Sequence, residues 1–212
     1  MVFEEVTTVW NQFNLTERTM EHLWMFSISL TISVILGVTL GIVLYRHRHY
    51  AEPALNGLNA LETFPDMALL VLLIPVAGIG EFPTIIACII YSLLPVTRNT
   101  YTGLVSVRPE ILEAGTAIGL TEGEIVRKIR IPISLPMIAG GIRIAIVFTM
   151  GIVTLGGIIG AGGLGAPLQT GIVLLLPEVI IVTGLWVGIL AVIFDGCAGI
   201  IEKRLTRRYG EW

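Results

Sequence analysis

Apolar residues fall into long blocks separated by short polar punctuation, and the blocks are of membrane-spanning length. Leu23 to Tyr45 is long enough, at ~1.5 Å per residue, to cross a ~30 Å hydrocarbon core as a helix. Before it, residues 1–21 predict a short polar arm carrying an interfacial helix, since Trp10 and Phe13 are i, i+3 neighbours. Pro53 to Gly80 is a second block, but an interrupted one: Asn56, Asn59, Glu62 and Asp66 punctuate its first half, Pro65 stands between the two acids, and Leu69 to Pro75 is strictly apolar. A span with two acids and a proline is expected to face protein or a water-filled cavity rather than lipid. Phe82 to Leu94 begins a third span, which Pro95 to Tyr101 ends with Arg98 and Asn99. Pro136 to about Leu155 predicts a fourth, with Arg143 toward its start. The glycine-rich stretch 156–177 precedes a fifth span, Glu178 to Ile201, with Asp195 inside it. The division expected is an arm (1–21), a five-helix unit (22–205) and a tail (206–212).

Between the third and fourth blocks lies the longest polar interior segment, roughly 106–133. Pro109 suits the first turn of a helix, where its missing N–H is not needed. Glu110 and Glu113 follow at the end of the helix that favours acids. Gly119 supplies the left-handed backbone that ends this helix. Thr121 and Glu124 then form a capping box for a second helix, with Ile125, Val126 and Ile129 on one face and Arg127, Lys128 and Arg130 on another; Pro132 is expected to stop it. The product is a helical hairpin too polar to cross a bilayer.

Composition agrees. Of 212 residues, 54% are hydrophobic and 14% charged, against about 25% charged in soluble domains, and the mean hydropathy is +0.86. The net charge of −3 excludes a generally basic nucleic-acid binder. Cys88 and Cys197 both fall inside predicted spans, so a disulfide is not expected, and no Cys/His spacing resembles a zinc site. The His47–His49 pair lacks a further ligand and reads as part of a basic membrane flank, Arg46 to His49. Residues 1–21 lack the positive region of a signal peptide and are read as mature protein. Gly37 and Gly41, four apart, predict close approach of another helix.

Orientation follows from the basic residues. With the hairpin cytoplasmic, five spans place the N-terminus outside and the C-terminus inside. Eleven of the thirteen Lys and Arg residues then lie in inner loops or the tail; Arg143 is near the inner end of its span and Arg18 alone is outside.

The hairpin resembles the EAA loop of ABC importer permeases, whose pattern is Glu-Ala-Ala, three residues, Gly, nine residues, Ile-x-Leu-Pro. Glu113, Ala114, Gly119, Ile129 and Pro132 match; Gly115 replaces the second Ala and Ile131 the Leu. The resemblance implies an all-α membrane protein with the type I ABC importer transmembrane fold, N-out and C-in, in a bacterial or archaeal cell (inner) membrane. It implies that Glu113, Ala114, Gly115, Gly119, Leu120, Thr121, Ile129 and Pro132 couple to an ATPase. It further implies two ABC ATPase subunits, a second permease copy or paralogue and an extracytoplasmic substrate-binding protein as partners. The chain has no Walker motif, so it is expected to hold neither cofactor nor catalytic residue, with ATP and Mg at the partner subunits.

Leu94 to Gly103 and Gly160 to Gly165 are similar to permeases for glycine betaine, carnitine and choline. Where that subfamily usually reads Gln-Thr-Leu-Pro-Ser, this chain has Glu62-Thr-Phe-Pro-Asp66. Methionine-type permeases share the five spans and a similar glycine segment.

Glu62 and Asp66 are four apart and predicted to share one face, which either lines the translocation route with Pro65, Tyr91 and Asn99 or serves structural bonding. Tyr91, Tyr101, Phe64 and Trp186 offer aromatic surface to a quaternary ammonium group, or serve packing. Asp195 is expected to pair with the basic tail, the alternative being a proton relay of an ion-coupled transporter. Gly160, Gly162 and Gly165 satisfy G-x-G-x-x-G, but without a βαβ unit they predict close backbone packing near the outer mouth.

Overall fold

Asn14, held in the left-handed region at φ 50, separates two helices at one end of the molecule: α1 (Val2–Gln12) and α2 (Leu15–Arg46). The computed structural model describes residues 2–210, with side chains from residue 4 onward; Met1 of the predicted arm and Glu211 and Trp212 of the predicted tail lie outside the described residues. All regular structure among the described residues is helical. Among the described residues four helices are long and apolar enough to cross a membrane, and a bent pair taken as one span brings the number to the five that the sequence predicts.

The first span begins well before its apolar window. Leu15, Thr19, His22, Met25, Phe26, Ser29 and Ser33 form one buried face, so helical packing continues through residues whose outward neighbours are polar. Residues 15–21 therefore belong to α2 and not to the arm. At its other end, Gly37 and Gly41 admit the third span. A Cβ on Gly37 would stand 2.7 Å from Val96, and one on Gly41 would stand 2.6 Å from the Thr100 Cβ.

The second span is α3 (Ala51–Glu62) and α4 (Asp66–Ala77), bent by 94°. Pro65 lacks an N–H and pushes Phe64 out of helical conformation, so the two acids fall on different helices. The expectation of one shared helical face is corrected accordingly.

The third span, α5 (Glu81–Val105), contains Pro95 and runs to Val105, past the expected end at Tyr101. The hairpin follows as α6 (Pro109–Ala117) and α7 (Glu122–Ile125). Pro132 does not stop the second arm either. Residues Val126–Arg130 form a π turn, in which the Ile131 N–H donates to the Val126 carbonyl, and the helix continues as α8 (Ile131–Gly156). The widened turn accommodates a proline that cannot donate to the carbonyl four residues back. Hairpin arm and fourth span are thus one continuous helix.

After α8, Gly157 and Gly165 touch backbone to backbone: a Cβ on Gly157 would lie 2.1 Å from the Gly165 carbonyl carbon. This is the close packing predicted for the glycine segment. It leads into α9 (Gly165–Val173) and α10 (Pro177–Tyr209). α10 absorbs most of the predicted tail; at 33 residues it is about 50 Å long, more than one bilayer core requires.

One packing cluster joins α2, α4, α5 and α8 through Met25, Leu70, Cys88, Tyr91 and Ile152. The other joins α1, α2, α8 and α10 through Val9, Leu15, Phe26, Met150 and Leu190. Both cysteines are free thiols.

Candidate coupling hairpin and polar track

The turn of the hairpin is a Schellman motif. Leu120 N–H donates to the Gly115 carbonyl (3.1 Å) and Gly119 N–H to the Thr116 carbonyl (2.9 Å), with Gly119 at φ +85. The predicted capping box is present. Thr121 N–H donates to Glu124 Oε2 (3.1 Å), and Glu124 N–H donates to Thr121 Oγ1 (3.4 Å). Glu124, in the polar hairpin outside the apolar spans, also accepts from Lys128 Nζ at 2.7 Å. The Lys128 bond and the Thr121 backbone bond hold its carboxyl well below the usual value, at about 2.

Gly115 explains its own departure from the Glu-Ala-Ala pattern. It is buried between the arms, and a Cβ there would lie 2.7 Å from Ile129 Cδ1 and 3.6 Å from Leu120 Cδ1. Leu120, Ile125 and Ile129 thus form a small apolar core around one glycine. Glu113, Ala114, Ala117, Ile118, Gly119 and Thr121 are all exposed, and Ile118 is 77% exposed. The hairpin tip is thus open to its surroundings, with Ile118 its one large exposed apolar side chain. Behind it, Glu110, Ala114, Ile129, Pro132 and Tyr209 line a cavity of about 520 Å³.

Arg130 does not join Arg127 and Lys128 on a solvent face, as the helical period predicts. The π turn shifts the register and turns it inward, where it is 8% exposed. Its Nη1 donates to the Leu104 carbonyl at the end of α5, and its guanidinium stands 4.9 Å from the centre of the Tyr45 ring at the end of α2.

The candidate route residues divide into two groups. At the α3–α4 bend, the Tyr91 hydroxyl donates to the Phe64 carbonyl, and Asp66 and Glu62 both lie within electrostatic reach of Tyr91. Arg98 faces Glu62. Glu62 is half-buried, and Pro65 and Asp66 are exposed. The bend thus places both acids within electrostatic reach of one tyrosine, although not on one helix.

Asn99 belongs to a second group. It lines a cavity of about 720 Å³ with Ser106, Pro136, Arg143, Asp195 and Glu202. Here Arg143 donates to Asp195 Oδ1 (2.6 Å), to Asp195 Oδ2 (2.8 Å) and to Glu202 Oε2 (3.2 Å). Asp195 is therefore paired, but with the fourth span rather than with the basic tail. Its helix shapes the site: a Cβ on Gly199 would lie 3.3 Å from the Arg143 guanidinium carbon. Asp195, Gly199 and Glu202 fall at i, i+4 and i+7 on one face.

The aromatic residues do not converge. Tyr91 packs in the α4–α5 cluster, whereas Trp186 meets Trp10 edge-on at 5.1 Å and donates to Thr19 Oγ1 at 2.9 Å.

At the end opposite the hairpin, the Gly163 N–H donates to Glu21 Oε2 at 2.8 Å, and Arg18 holds the same oxygen at 2.9 Å. This ties the glycine segment to α2. His22, fully buried beside it, places Nε2 3.1 Å from Met150 Sδ. Nothing in the local sequence marks these pairs, because their partners lie 142 and 128 positions away.

Residues 25–207 match the family of binding-protein-dependent transport system inner membrane components. The chain is 38% identical over 196 residues to the glycine betaine/carnitine/choline transport system permease protein OpuCB of Bacillus subtilis, covering 92% of this chain and 90% of that one. It is 40% identical over 197 residues to the osmoprotectant import permease protein OsmW of Salmonella typhimurium, covering 91% and 92%. Among solved structures, an inward-facing MetNI methionine ABC transporter chain superposes with a TM-score of 0.79 at 24% identity, over 91% of this chain and 96% of that one. At that identity the likeness speaks for the fold.

Proposed function

The chain belongs to the family of binding-protein-dependent transport system inner membrane components, and we propose that it is the permease subunit of an ATP-driven importer of osmoprotectants such as glycine betaine, carnitine or choline. The observation that carries the coupling role is the exposed hairpin tip, Glu113 to Thr121. It is a capped helical elbow continuous with the fourth span, with Ile118 exposed at its tip. The substrate class is carried by relatives named for it at 35–40% identity, whereas the methionine reading has only a fold likeness at 24%.

In this reading each hairpin seats on an ABC ATPase subunit, which holds ATP and Mg; the chain itself binds no cofactor and hydrolyses nothing. Two permease copies, or this chain and a paralogue, enclose the route, and an extracytoplasmic binding protein delivers substrate. Closure of the ATPase pair draws the hairpins together. Because the second hairpin arm and α8 are one continuous helix, that displacement enters the membrane through the fourth span. The two states differ in hairpin contacts, as a ligand-driven shift of populations requires.

Glu62, Pro65, Asp66 and Tyr91, gathered at the break of the second span, are proposed to line the route, with Asn99 toward its inner end. A broken, acid-bearing helix is tolerated in a membrane where it borders protein or water.

The test is uptake of radiolabelled glycine betaine, carnitine and choline into proteoliposomes holding this chain, its ATPase and its binding protein. Uptake that requires ATP and is abolished by Gly119→Asp, with membrane insertion intact, supports the reading. Uptake that persists without ATP, or follows an ion gradient instead, overturns it.

A further inference from the structure

Arg130 is a charge placed where a neutral side chain would be easier to bury. Removing a charge from water is costly unless hydrogen bonds and counter-charge replace the lost solvation. Its replacements come from two other spans. The Leu104 carbonyl that accepts from Nη1 lies in the last turn of α5. There carbonyls have no intrahelical donor, and the negative end of the helix dipole is concentrated. Arg130 is therefore a cationic cap on the third span. The Tyr45 ring, 4.9 Å away, lies next to last in α2, and Arg48 stands 5.2 Å from the same ring. A guanidinium at this distance is drawn to the electron-rich ring face.

The surrounding contacts fix its position further. Ser134 Oγ donates to the Arg130 carbonyl at 2.6 Å. Ser134 packs so closely on α5 that a Cβ on Gly103 would lie 3.0 Å from its own. Arg130 is the last residue of the π turn, so it sits where the polar hairpin becomes the fourth span. One side chain thus joins the inner ends of α2 and α5 to the root of α8.

We propose that Arg130 is the positioning residue through which movement of the hairpin reaches the first and third spans, while the covalent chain carries it into the fourth. This rests on the reading of the hairpin as the element that meets an ATPase. With the tie intact, α2, α5 and α8 shift as one body, helped by the close approach of α2 to α5 at Gly37 and Gly41. With it cut, the hairpin moves α8 alone, and ATP is hydrolysed with less substrate moved.

The experiment compares Arg130→Met, Tyr45→Leu and Tyr45→Phe in the full complex of permease, ATPase and binding protein in proteoliposomes, measuring both ATP hydrolysis and uptake of glycine betaine. Arg130→Met and Tyr45→Leu are expected to assemble and hydrolyse ATP but to move at least about fivefold less substrate per ATP, the low end of ordinary coupling between sites. Tyr45→Phe keeps a ring for the guanidinium and is expected to match the wild type. If Arg130→Met fails to assemble, the two Tyr45 variants decide alone. An equal ratio of uptake to hydrolysis in Tyr45→Leu and Tyr45→Phe overturns the proposal. A parallel fall in both quantities at unchanged ratio also overturns it, because that marks a purely structural residue. Wild-type uptake indifferent to ATP would instead overturn the importer reading itself.

Discussion

Arg143 in the fourth span grips both carboxylate oxygens of Asp195 in the fifth, at 2.6 and 2.8 Å, while its remaining nitrogen reaches Glu202. This bidentate pair locks α8 to α10 at the level of the inner cavity. Asp195→Leu strands a guanidinium with one carboxylate. A lower apparent Tm is expected, because the guanidinium, about a third exposed like its partners, keeps a single acid. Adding Arg143→Leu and Glu202→Gln removes the charges left without partners and is expected to recover most of the loss. A triple variant less stable than the single one, by thermal melting in detergent, would refute the pairing as described.

Gly119 stands at φ +85 with open space where a Cβ would go, so substitutions there test backbone conformation without a clash. Gly119→Asn is expected to be tolerated best, since Asn enters the left-handed region readily. Gly119→Ala is expected to lose about 1–2 kcal/mol of hairpin stability, and Gly119→Val more. Proteolysis rates of the hairpin in membrane vesicles should rise in that order.

Gly115 and Ile129 form a size-matched pair. Gly115→Ala places a methyl 2.7 Å from Ile129 Cδ1; this is the far end of a flexible side chain, so a loss at the low end of overpacking, about 1 kcal/mol, and reduced uptake are expected. Ile129→Val removes the colliding carbon and should restore uptake in the double variant. Uptake of Gly115→Ala that the second change does not improve would show that the two side chains do not limit each other.

Glu62→Gln and Asp66→Asn test the proposed route. Each is expected to alter the rate or the ranking of glycine betaine, carnitine and choline uptake, while leaving ATPase assembly intact. Unchanged kinetics in both variants would take the bend out of the route.

The parts of this molecule legible in its sequence are those fixed by nearest neighbours. Pro109, Gly119 and the Thr121–Glu124 box each specify their own turn, and the structure contains all three. The long apolar windows give five spans, and Pro65 breaks the second where expected. The rest is decided by distant contacts or by a change of helical pitch. Pro132 should end a helix by local rules, yet a π turn carries the chain through it and rotates Arg130 from the solvent face into the joint. Asp195 found its partner 52 positions away rather than in the adjacent tail. Glu62 and Asp66 have helical spacing, but the proline that separates them also separates their helices.

The central claim is that the hairpin tip meets an ATPase on the inner side of the membrane. Ile118, 77% exposed at that tip, is the place to measure it: Ile118→Cys in a Cys197→Ser background, cross-linked in membranes containing the ATPase subunit, with and without ATP. The account predicts a permease–ATPase adduct whose yield changes with nucleotide, and a cysteine shielded from impermeant reagents added outside. A cysteine labelled from the outside, or one that forms no adduct with the ATPase in either state, would contradict it.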